Sequence, residues 1–254
     1  MSSLTINLKN KVVLITGALG IQGPEHTKAF KRTGAKVIST DIIGGDYQLD
    51  VTSKKSIDLT VKKIIKKYKR IDVLVNNAGT IGKQMKKASA PVEKQKLSDW
   101  EAIIKVNLTG VWLCCQVVGK QMAKQKSGSI INISSIYGLI APDFMIYSDS
   151  KYNNNKSMGT PAAYSASKGG VISLTKYLAS YWAKDGIRVN CVTPGGIYDK
   201  QSKDFIAKYS QKTMLNRMAR KNEITGALLY FASNLSSYVT GENIVVDGGL
   251  TVKA

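Results

Sequence analysis

Short apolar runs alternate with longer amphipathic stretches along most of the 254-residue chain. The short runs are rich in β-branched residues, as the buried strands of parallel sheets are. Candidate strands are VVLIT from Val12, KVIST from Lys36, IDVLV from Ile71, SIINIS from Ser129, RVNCVT from Arg188 and NIVVD from Asn243. Helical periodicity marks the segments 25–33, 53–70, 98–124, 163–185 and 221–234. This alternation predicts an α/β class, single-domain Rossmann fold over 1–254, with a doubly wound parallel β-sheet flanked by helices.

The segment 139–163 interrupts this alternation. It contains two prolines and the polar run YSDSKYNNNKS, and it has neither the helical nor the strand period. We therefore expect an inserted surface loop on the substrate side, at the carboxyl ends of the strands. A contact between subunits is the alternative role for this insertion.

A glycine-rich turn follows the first candidate strand, with Gly17, Gly20 and Gly23 leading into the first predicted helix. Glycines let the backbone approach a pyrophosphate closely, and the helix N-terminus supplies free N–H groups and a partial positive charge. Such turns are common between strands and helices, so an ordinary turn is the alternative.

Asp41 ends the second candidate strand, about 20 residues after the turn, where an acidic side chain bonds the adenosine ribose hydroxyls and repels a 2′-phosphate. Leu19, Gln22 and Ile42 supply no cation for that phosphate. The sequence therefore predicts NAD in preference to NADP, with a helix-capping or loop aspartate as the alternative.

The chain carries 37 Lys+Arg against 17 Asp+Glu, a net charge of +20. In 53–70 the apolar residues repeat at helical spacing and the lysines fall largely on the other side, which indicates a solvated face. An anionic ligand or surface is the alternative explanation. Because the sequence has no recognised nucleic-acid motif and no basic stripe interleaved with aromatics, neither nucleic acid nor a membrane is predicted as a partner.

The N-terminal sequence MSSLTINLKN lacks the apolar stretch of a signal peptide, and no run approaches the roughly 18 apolar residues of a membrane span. Cys114, Cys115 and Cys191 lie in apolar segments without metal-ligand spacing, so they are expected in the core. His26, the only histidine, is expected at the surface near the cofactor entrance. These features predict a cytoplasmic protein without a metal site.

An ordered set of motifs resembles the short-chain dehydrogenase/reductase family over essentially the whole chain. The motifs are the glycine turn, Asp50-Val51, NNAG from Asn76, VNLTG around Asn107, INISS ending at Ser135, YSASK from Tyr164, Pro194-Gly195 and VTGENIVVDGG. The resemblance implies an NAD(P)-dependent oxidoreductase acting on a hydroxyl or carbonyl carbon of a small molecule. It also implies a homotetramer, with helices 98–124 and 163–185 at one interface and the C-terminal segment at another.

The resemblance assigns catalytic roles to Asn107, Ser135, Tyr164 and Lys168. Tyr164 would exchange a proton with the substrate oxygen, which requires its pKa to fall below the usual value of about 10. Lys168 lies one helical turn along, so its ammonium, together with the nicotinamide charge, can stabilise the phenolate. Ser135 would hydrogen-bond the substrate oxygen, and Asn107 would hold a water that relays protons from the lysine.

The predicted cofactor contacts combine the glycine turn with the family's motifs. They are Gly17, Gly20, Ile21, Gly23, Asp41, Asp50, Val51, Asn77, Ala78, Gly79, Tyr164, Lys168, Pro194, Gly195 and Ile197. Two positions depart from the family pattern. Ile21 replaces the middle glycine, which produces a TGxxGxxG spacing similar to that of the extended, sugar-nucleotide members. Asp199 stands where a threonine commonly bonds the nicotinamide amide, which puts that contact in doubt.

The pattern YxxxK occurs twice, at Tyr147 with Lys151 and at Tyr164 with Lys168. The interval from Ser135 favours Tyr147, but the residues after Lys151 are poor helix formers, whereas Tyr164 opens a long periodic segment. Tyr164 is therefore the predicted proton-transfer residue, and Tyr147→Phe is expected to leave most activity.

The insertion also bears on the substrate. It offers hydrogen-bonding groups for hydroxyls at Asp143, Tyr147, Ser148, Asp149 and 153–155, and only a short apolar run at 144–146. It is similar to that of bacterial members associated with surface-sugar and flagellin-glycan biosynthesis. We expect a sugar-derived substrate, with a 3-oxoacyl or ketone reductase, and a dinucleotide-sensing regulator without turnover, as the alternatives.

Overall fold

The computed structural model describes residues 6–81, 91–147 and 159–253, and the backbone of 151–152 and 156–157. A seven-stranded sheet lies at the centre of the described chain. Its strands are β1 (Val12–Thr16), β2 (Lys36–Asp41), β3 (Tyr47–Gln48), β4 (Val73–Asn76), β5 (Gly128–Ile133), β6 (Ile187–Pro194) and β7 (Asn243–Val246). They pair in parallel in the order β7-β6-β5-β4-β1-β2-β3. The order reverses between β1 and β4, which confirms the predicted doubly wound sheet and places its ligand crevice at their carboxyl ends.

Seven α-helices connect these strands within the described residues. They are α1 (Gly23–Arg32), α2 (Lys54–Tyr68), α3 (Leu97–Ile104), α4 (Gly110–Gln125), α5 (Ala162–Trp182), α6 (Lys203–Gln211) and α7 (Thr225–Ala232). Short 3₁₀ turns occur at Val92–Lys94, Ile136–Gly138, Phe144–Tyr147, Ala183–Asp185, Asn234–Ser236 and Leu250–Val252. The pair Gly44–Gly45 is extended, and Lys151–Tyr152 pairs antiparallel with Lys156–Ser157.

Most residues of the central strands β1, β4 and β5 are buried, because both faces of the sheet are covered there. In β1, Val12 and Leu14 join a cluster with α2, α4 and α5, whereas Val13 and Ile15 join a second cluster with α1 and α7. Helices therefore cover both faces of the sheet, and a ligand can reach polar groups only at the strand ends.

Three helical segments differ from the sequence-based prediction. The predicted helix 98–124 contains a π-helical turn at Lys105–Thr109 between α3 and α4. The predicted helix 221–234 begins only at Thr225, and α6 was not predicted. The signal for α6 was present, because Ser202 caps the helix by accepting from the amide of Phe205 at 3.3 Å.

The expectation of a surface position for His26 is wrong. His26 is fully buried, one turn before Phe30 on the same face of α1, and its Nδ1 lies 2.9 Å from the Thr225 hydroxyl on α7. This burial lowers the pKa of His26 to about 4, so the imidazole is neutral at pH 7. The cysteines lie in the core as predicted, and burial raises the pKa of Cys191 to about 11.

The helical stretch Leu97–Gln125, with a mean hydropathy of 1.5 in its most apolar window, has the length and composition of a membrane span. In the fold, its residues Val111, Cys115 and Val118 belong to the core cluster beneath the sheet. Packing against the core therefore accounts for part of its apolar character.

Candidate active site

The glycine turn after β1 packs directly on the NNAG turn after β4. Gly17 has a φ of +63°, and a Cβ there would lie 2.6 Å from Cα of Ala78. The side-chain amide of Asn77 donates to the carbonyl oxygen of Gly17 at 2.8 Å, and the Thr16 hydroxyl accepts from the Asn77 and Ala78 amides at 3.2 Å. The structure therefore brings these two predicted cofactor segments together.

Gly23 lets α1 begin close to this turn, since a Cβ at Gly23 would lie 2.5 Å from the Ala18 carbonyl. The amide of Gly20 bonds the carbonyl oxygen of Gly17 at 3.2 Å. Ile21 is exposed, and its amide makes no hydrogen bond within the described residues. An exposed amide beside a helix N-terminus suits a phosphate oxygen, so the turn fits a dinucleotide despite its altered spacing.

Asp41 projects from the end of β2 toward the same turn. One carboxylate oxygen accepts from the Leu19 amide at 3.1 Å, and the other accepts from the Ile43 amide at 3.3 Å. Among the described ion pairs, none involves Asp41. The carboxylate therefore keeps its negative charge available beside the turn, where ribose hydroxyls can donate to its remaining lone pairs.

Asp50 and Val51 lie in the turn before α2. The Asp50 carboxylate accepts from the amide and hydroxyl of Thr52, both at 2.8 Å, which fixes the turn. Val51 packs against the start of α4, where a Cβ on Gly110 would approach its Cγ2 to 2.9 Å. The contact of this pair with the cofactor stays a prediction.

Asn107 lies in the π-helical turn, and it is completely buried. Its Oδ1 accepts from the Thr80 amide, and its Nδ2 donates to the Thr80 carbonyl, both at 2.8 Å. A Cβ at Gly79 would lie 3.6 Å from both Asn107 Oδ1 and Lys168 Nζ. The wide turn thus places Asn107 beside the NNAG segment and the lysine, as π-turns often do at functional sites.

Ser135 and Tyr164 meet across the crevice. Ser135 follows β5 in an extended conformation, and Tyr164 lies in the first turn of α5. Burial raises the pKa of Tyr164, and a side-chain hydrogen bond with Ser135 opposes that rise. The protein's own groups therefore keep Tyr164 protonated at neutral pH, so the phenol can serve as an acid toward a carbonyl oxygen.

Lys168 is 5% exposed, one turn after Tyr164 on α5. Its Nζ donates to the Ile133 carbonyl at 2.9 Å and lies 5.7 Å from the Tyr164 ring centroid. Burial lowers the pKa of Lys168 to about 8, because the interior disfavours the ammonium form. The predicted helical placement of this YxxxK pair is confirmed, whereas Tyr147 ends a 3₁₀ turn and Lys151 lies in a two-residue strand.

Pro194, Gly195 and Ile197 lie at the end of β6, at the same edge of the sheet. The Gly195 amide bonds the Val246 carbonyl at 2.9 Å, and Ile197 bridges to Ala219. Asp199, the position that departs from the family pattern, is ion-paired with Lys221 at 2.7 Å. This partner on the segment before α7 explains how an acidic residue is accommodated there.

Residues before α3, between β5 and α5, and at the start of α5 form a pocket that the sequence did not delineate. Its volume is about 440 Å³, and Val92, Phe144, Tyr147, Thr160 and Ser165 are among the residues that line it. Tyr147 also packs on Phe205 of α6, with ring centroids 5.5 Å apart. No group of three or more His, Cys, Asp or Glu side chains in the described chain could hold a metal ion.

Comparison with known proteins agrees with this geometry. A 3-oxoacyl-[acyl-carrier-protein] reductase of Thermotoga maritima is 37% identical over 97% of this chain and 100% of the relative. A short-chain dehydrogenase from Leptospira borgpetersenii, solved with bound NAD+, superposes with a TM-score of 0.85 at 34% identity, covering 96% of this chain and 94% of that one.

A gluconate 5-dehydrogenase from Burkholderia cenocepacia, solved with NADP and tartrate, superposes with a TM-score of 0.82 at 27% identity and covers 98% of both chains. The model of the short chain dehydrogenase family matches residues 11–209, which include β1, the glycine turn, Ser135, Tyr164 and Lys168. The chain belongs to the short chain dehydrogenase family.

Proposed function

We propose that this protein is an NAD(P)-dependent oxidoreductase that interconverts a secondary alcohol and a carbonyl on a small molecule, with Tyr164 as the proton-transfer residue. One observation carries the proposal, namely the convergence of Ser135, Tyr164 and Lys168 at the end of the crevice. Ser135 lies close enough to Tyr164 to oppose the rise in the pKa of that phenol, and Lys168 Nζ lies 5.7 Å from the tyrosine ring. A bound nicotinamide would supply or accept the hydride.

Each residue has one task in this reaction. In carbonyl reduction, Tyr164 donates its phenolic proton to the substrate oxygen as that oxygen gains negative charge, and in alcohol oxidation its phenolate takes the proton back. Ser135 bonds the same oxygen and orients it. Lys168 stabilises the phenolate through its ammonium. Asn107 holds the backbone at Thr80 near the lysine through two hydrogen bonds.

The test is replacement of Tyr164 by Phe, with Tyr147→Phe as the matched variant from the other YxxxK pair. Because acid–base catalysis contributes roughly 10²- to 10⁴-fold, Tyr164→Phe should lower kcat by that factor while the protein still binds the dinucleotide. Tyr147→Phe should leave kcat intact. A Tyr164→Phe protein with wild-type kcat would refute the proposed role, and the reverse pattern would identify Tyr147 as the acid.

NAD is the proposed cofactor, with NADP as the alternative. Asp41 carries an unpaired negative charge toward the glycine turn, where it would repel a 2′-phosphate. The two solved relatives bind one cofactor each, NAD+ in the Leptospira protein and NADP in the Burkholderia protein, so likeness alone favours neither. Calorimetric titration with NAD and with NADP measures both Kd values, and the proposal requires the lower Kd for NAD.

The proposed substrate is polyhydroxylated and sugar-derived, because Gln95, Tyr147, Thr160 and Ser165 line the pocket with polar groups. A 3-oxoacyl compound is the second candidate. Val92, Phe144 and two prolines supply apolar surface in the same pocket, and the Thermotoga relative is named for that reaction. The comparison of kcat/KM for polyols and sugar derivatives with that for 3-oxoacyl thioesters decides between them, and faster turnover of the thioesters would reject the sugar-derived class.

We further propose a cytoplasmic homotetramer that uses α4 and α5 as one interface. Trp112 on α4 and Tyr177 and Tyr181 on α5 are 43%, 66% and 56% exposed in the single chain. Exposed aromatic residues on adjacent helices are typical of surfaces that associate.

A further inference from the structure

Three hydroxyl groups form a continuous chain beside Tyr164. The Tyr137 and Tyr147 hydroxyls lie 2.6 Å apart, and the Tyr147 hydroxyl lies 3.0 Å from that of Thr160. Tyr147 and Thr160 also line the pocket at the N-terminus of α5. Tyr147 is close enough to Tyr164 to contribute to the raised pKa of that phenol.

The hydroxyl chain has spare hydrogen-bonding capacity. Three hydroxyls carry three O–H donors, and the two bonds between them use two of those donors. One donor and several acceptor lone pairs therefore remain for a molecule in the pocket. Burial raises the pKa of both Tyr137 and Tyr147, so these groups stay neutral and can donate as well as accept.

Packing on α6 and an ion pair hold the hydroxyl chain of Tyr137, Tyr147 and Thr160 in place. The Tyr147 ring packs on Phe205, which in turn lies 5.8 Å from the Tyr209 ring on α6. The carboxylate of Asp143 forms an ion pair with Lys212, just after the C-terminus of α6. A hydroxyl fixed in this way can select among ligands, because little rotamer entropy is lost when it binds one.

We propose that Tyr147 is a substrate-positioning residue that binds a second hydroxyl of the substrate, on a carbon near the one that exchanges the hydride. This inference rests on the proposed function and narrows its substrate class to compounds with neighbouring oxygen functions. Tyr164 exchanges a proton with the reacting oxygen. The hydroxyl chain of Tyr137, Tyr147 and Thr160 hydrogen-bonds the hydroxyl on the neighbouring carbon. Tyr147 therefore affects recognition, and it takes no part in proton transfer.

The test compares erythritol with 2-butanol, which have four carbons each but differ in the number of hydroxyls. The wild-type protein should favour erythritol in kcat/KM. Tyr147→Phe keeps the ring against Phe205 and removes only the hydroxyl, so it should raise KM for erythritol about 3- to 10-fold, the worth of one neutral hydrogen bond. Its kcat for erythritol and its kcat/KM for 2-butanol should stay at the wild-type level.

Two further variants separate recognition from structure. Thr160→Val breaks the other end of the hydroxyl chain and should reproduce the rise in KM for erythritol. Ser237→Ala, at an exposed position outside the pocket, should leave KM unchanged. Tyr147→Phe and Thr160→Val both remove hydrogen bonds of the hydroxyl chain, so both should lower the thermal midpoint. Binding of erythritol measured by saturation-transfer NMR should weaken in parallel with KM.

Three outcomes would overturn the inference. They are a wild-type preference for 2-butanol, an equal loss on both alcohols in Tyr147→Phe, and a fall in kcat at unchanged KM. Failure of the proposed function differs from these, since Tyr164→Phe would then keep the wild-type kcat, or no alcohol or carbonyl compound would support NAD(P)-linked turnover by the wild-type protein.

Discussion

Lys168 carries a positive charge into a part of the protein that is nearly closed to solvent, and this has a consequence for stability. Its pKa is lowered to about 8 in the fold, from 10.5 in the unfolded chain. Below about pH 8 both states are protonated, so the full cost of burying the ammonium is present. Between the two pKa values the folded state releases its proton first, and stability rises with pH across this window.

The free energy of unfolding of the wild type should therefore gain about 1 kcal/mol relative to Lys168→Met between pH 7.5 and 9. Methionine has a similar length and no charge, so it removes the titration with little change in packing. Denaturant unfolding of both proteins at each pH measures the difference, in which the titration of the cysteines and tyrosines cancels. A constant difference would mean that Lys168 has an ordinary pKa in the fold.

Asp41 is the residue that should set cofactor preference. Asp41→Ala removes the charge that faces the 2′ position of the adenosine ribose, so the ratio of Kd values for NADP and NAD should fall about tenfold, equivalent to about 1.4 kcal/mol. Asp58→Ala on α2 is the control for net charge, and it should leave the ratio unchanged. Stronger binding of NADP by the unaltered protein would contradict this prediction directly.

The close packing of α4 against α5 requires a glycine at position 119. Gly119 lies on α4 beneath the Trp182 indole, and a Cβ there would lie 2.2 Å from Cη2 of the ring. Trp182 is 7% exposed within the core, so the ring has little freedom to move.

Gly119→Ala should therefore destabilise the protein by about 1–3 kcal/mol through overpacking. The matched control is Gly226→Ala, because Gly226 lies in α7 and a Cβ added there would have no atom within 4 Å. That substitution should be neutral or stabilise by up to about 1 kcal/mol, as alanine does in exposed helical positions. Similar thermal midpoints for the two variants would show that the α4 and α5 helices can separate without cost.

At the scale of the whole molecule, the exposed aromatic surface and the net charge act in opposite directions. A charge of +20 keeps copies of the chain apart, whereas the stacked Tyr177 and Tyr181, with ring centroids 6.3 Å apart, favour association. Burial of such a surface in a homotetramer would make assembly stronger at high salt, where the repulsion is screened.

Light scattering should therefore give a mass four times the 27.6 kDa of the chain. The double variant Tyr177→Glu and Tyr181→Glu should lower this mass, because it places charges in a surface that assembly would desolvate. Leu59→Glu on α2, which alters an equally apolar exposed residue outside the expected interfaces, should leave the mass unchanged. A wild-type protein that is monomeric at all salt concentrations would reject the tetramer.

Local patterns in the sequence were enough to predict the parallel sheet, most of its helices and the segments that surround the cofactor crevice. The central strands are short runs of mostly buried residues, and each glycine or polar turn follows directly in the chain, so these features depend on neighbours in sequence. The helical spacing of Tyr164 and Lys168 is local for the same reason. Their placement on α5 therefore followed from helix propensity alone.

The tertiary structure alone decided the features that depend on contacts between distant segments. His26 is buried because α7 packs on α1, and the π-helical turn at Asn107 forms where α3 and α4 adjust to α5 and the NNAG segment. Tyr147 was excluded as a catalytic base by its poor helical context, yet Tyr137, Thr160 and Phe205 hold it at the pocket. No periodicity encodes such contacts, because they are stabilised only when burial in the folded chain brings the hydroxyls and rings together.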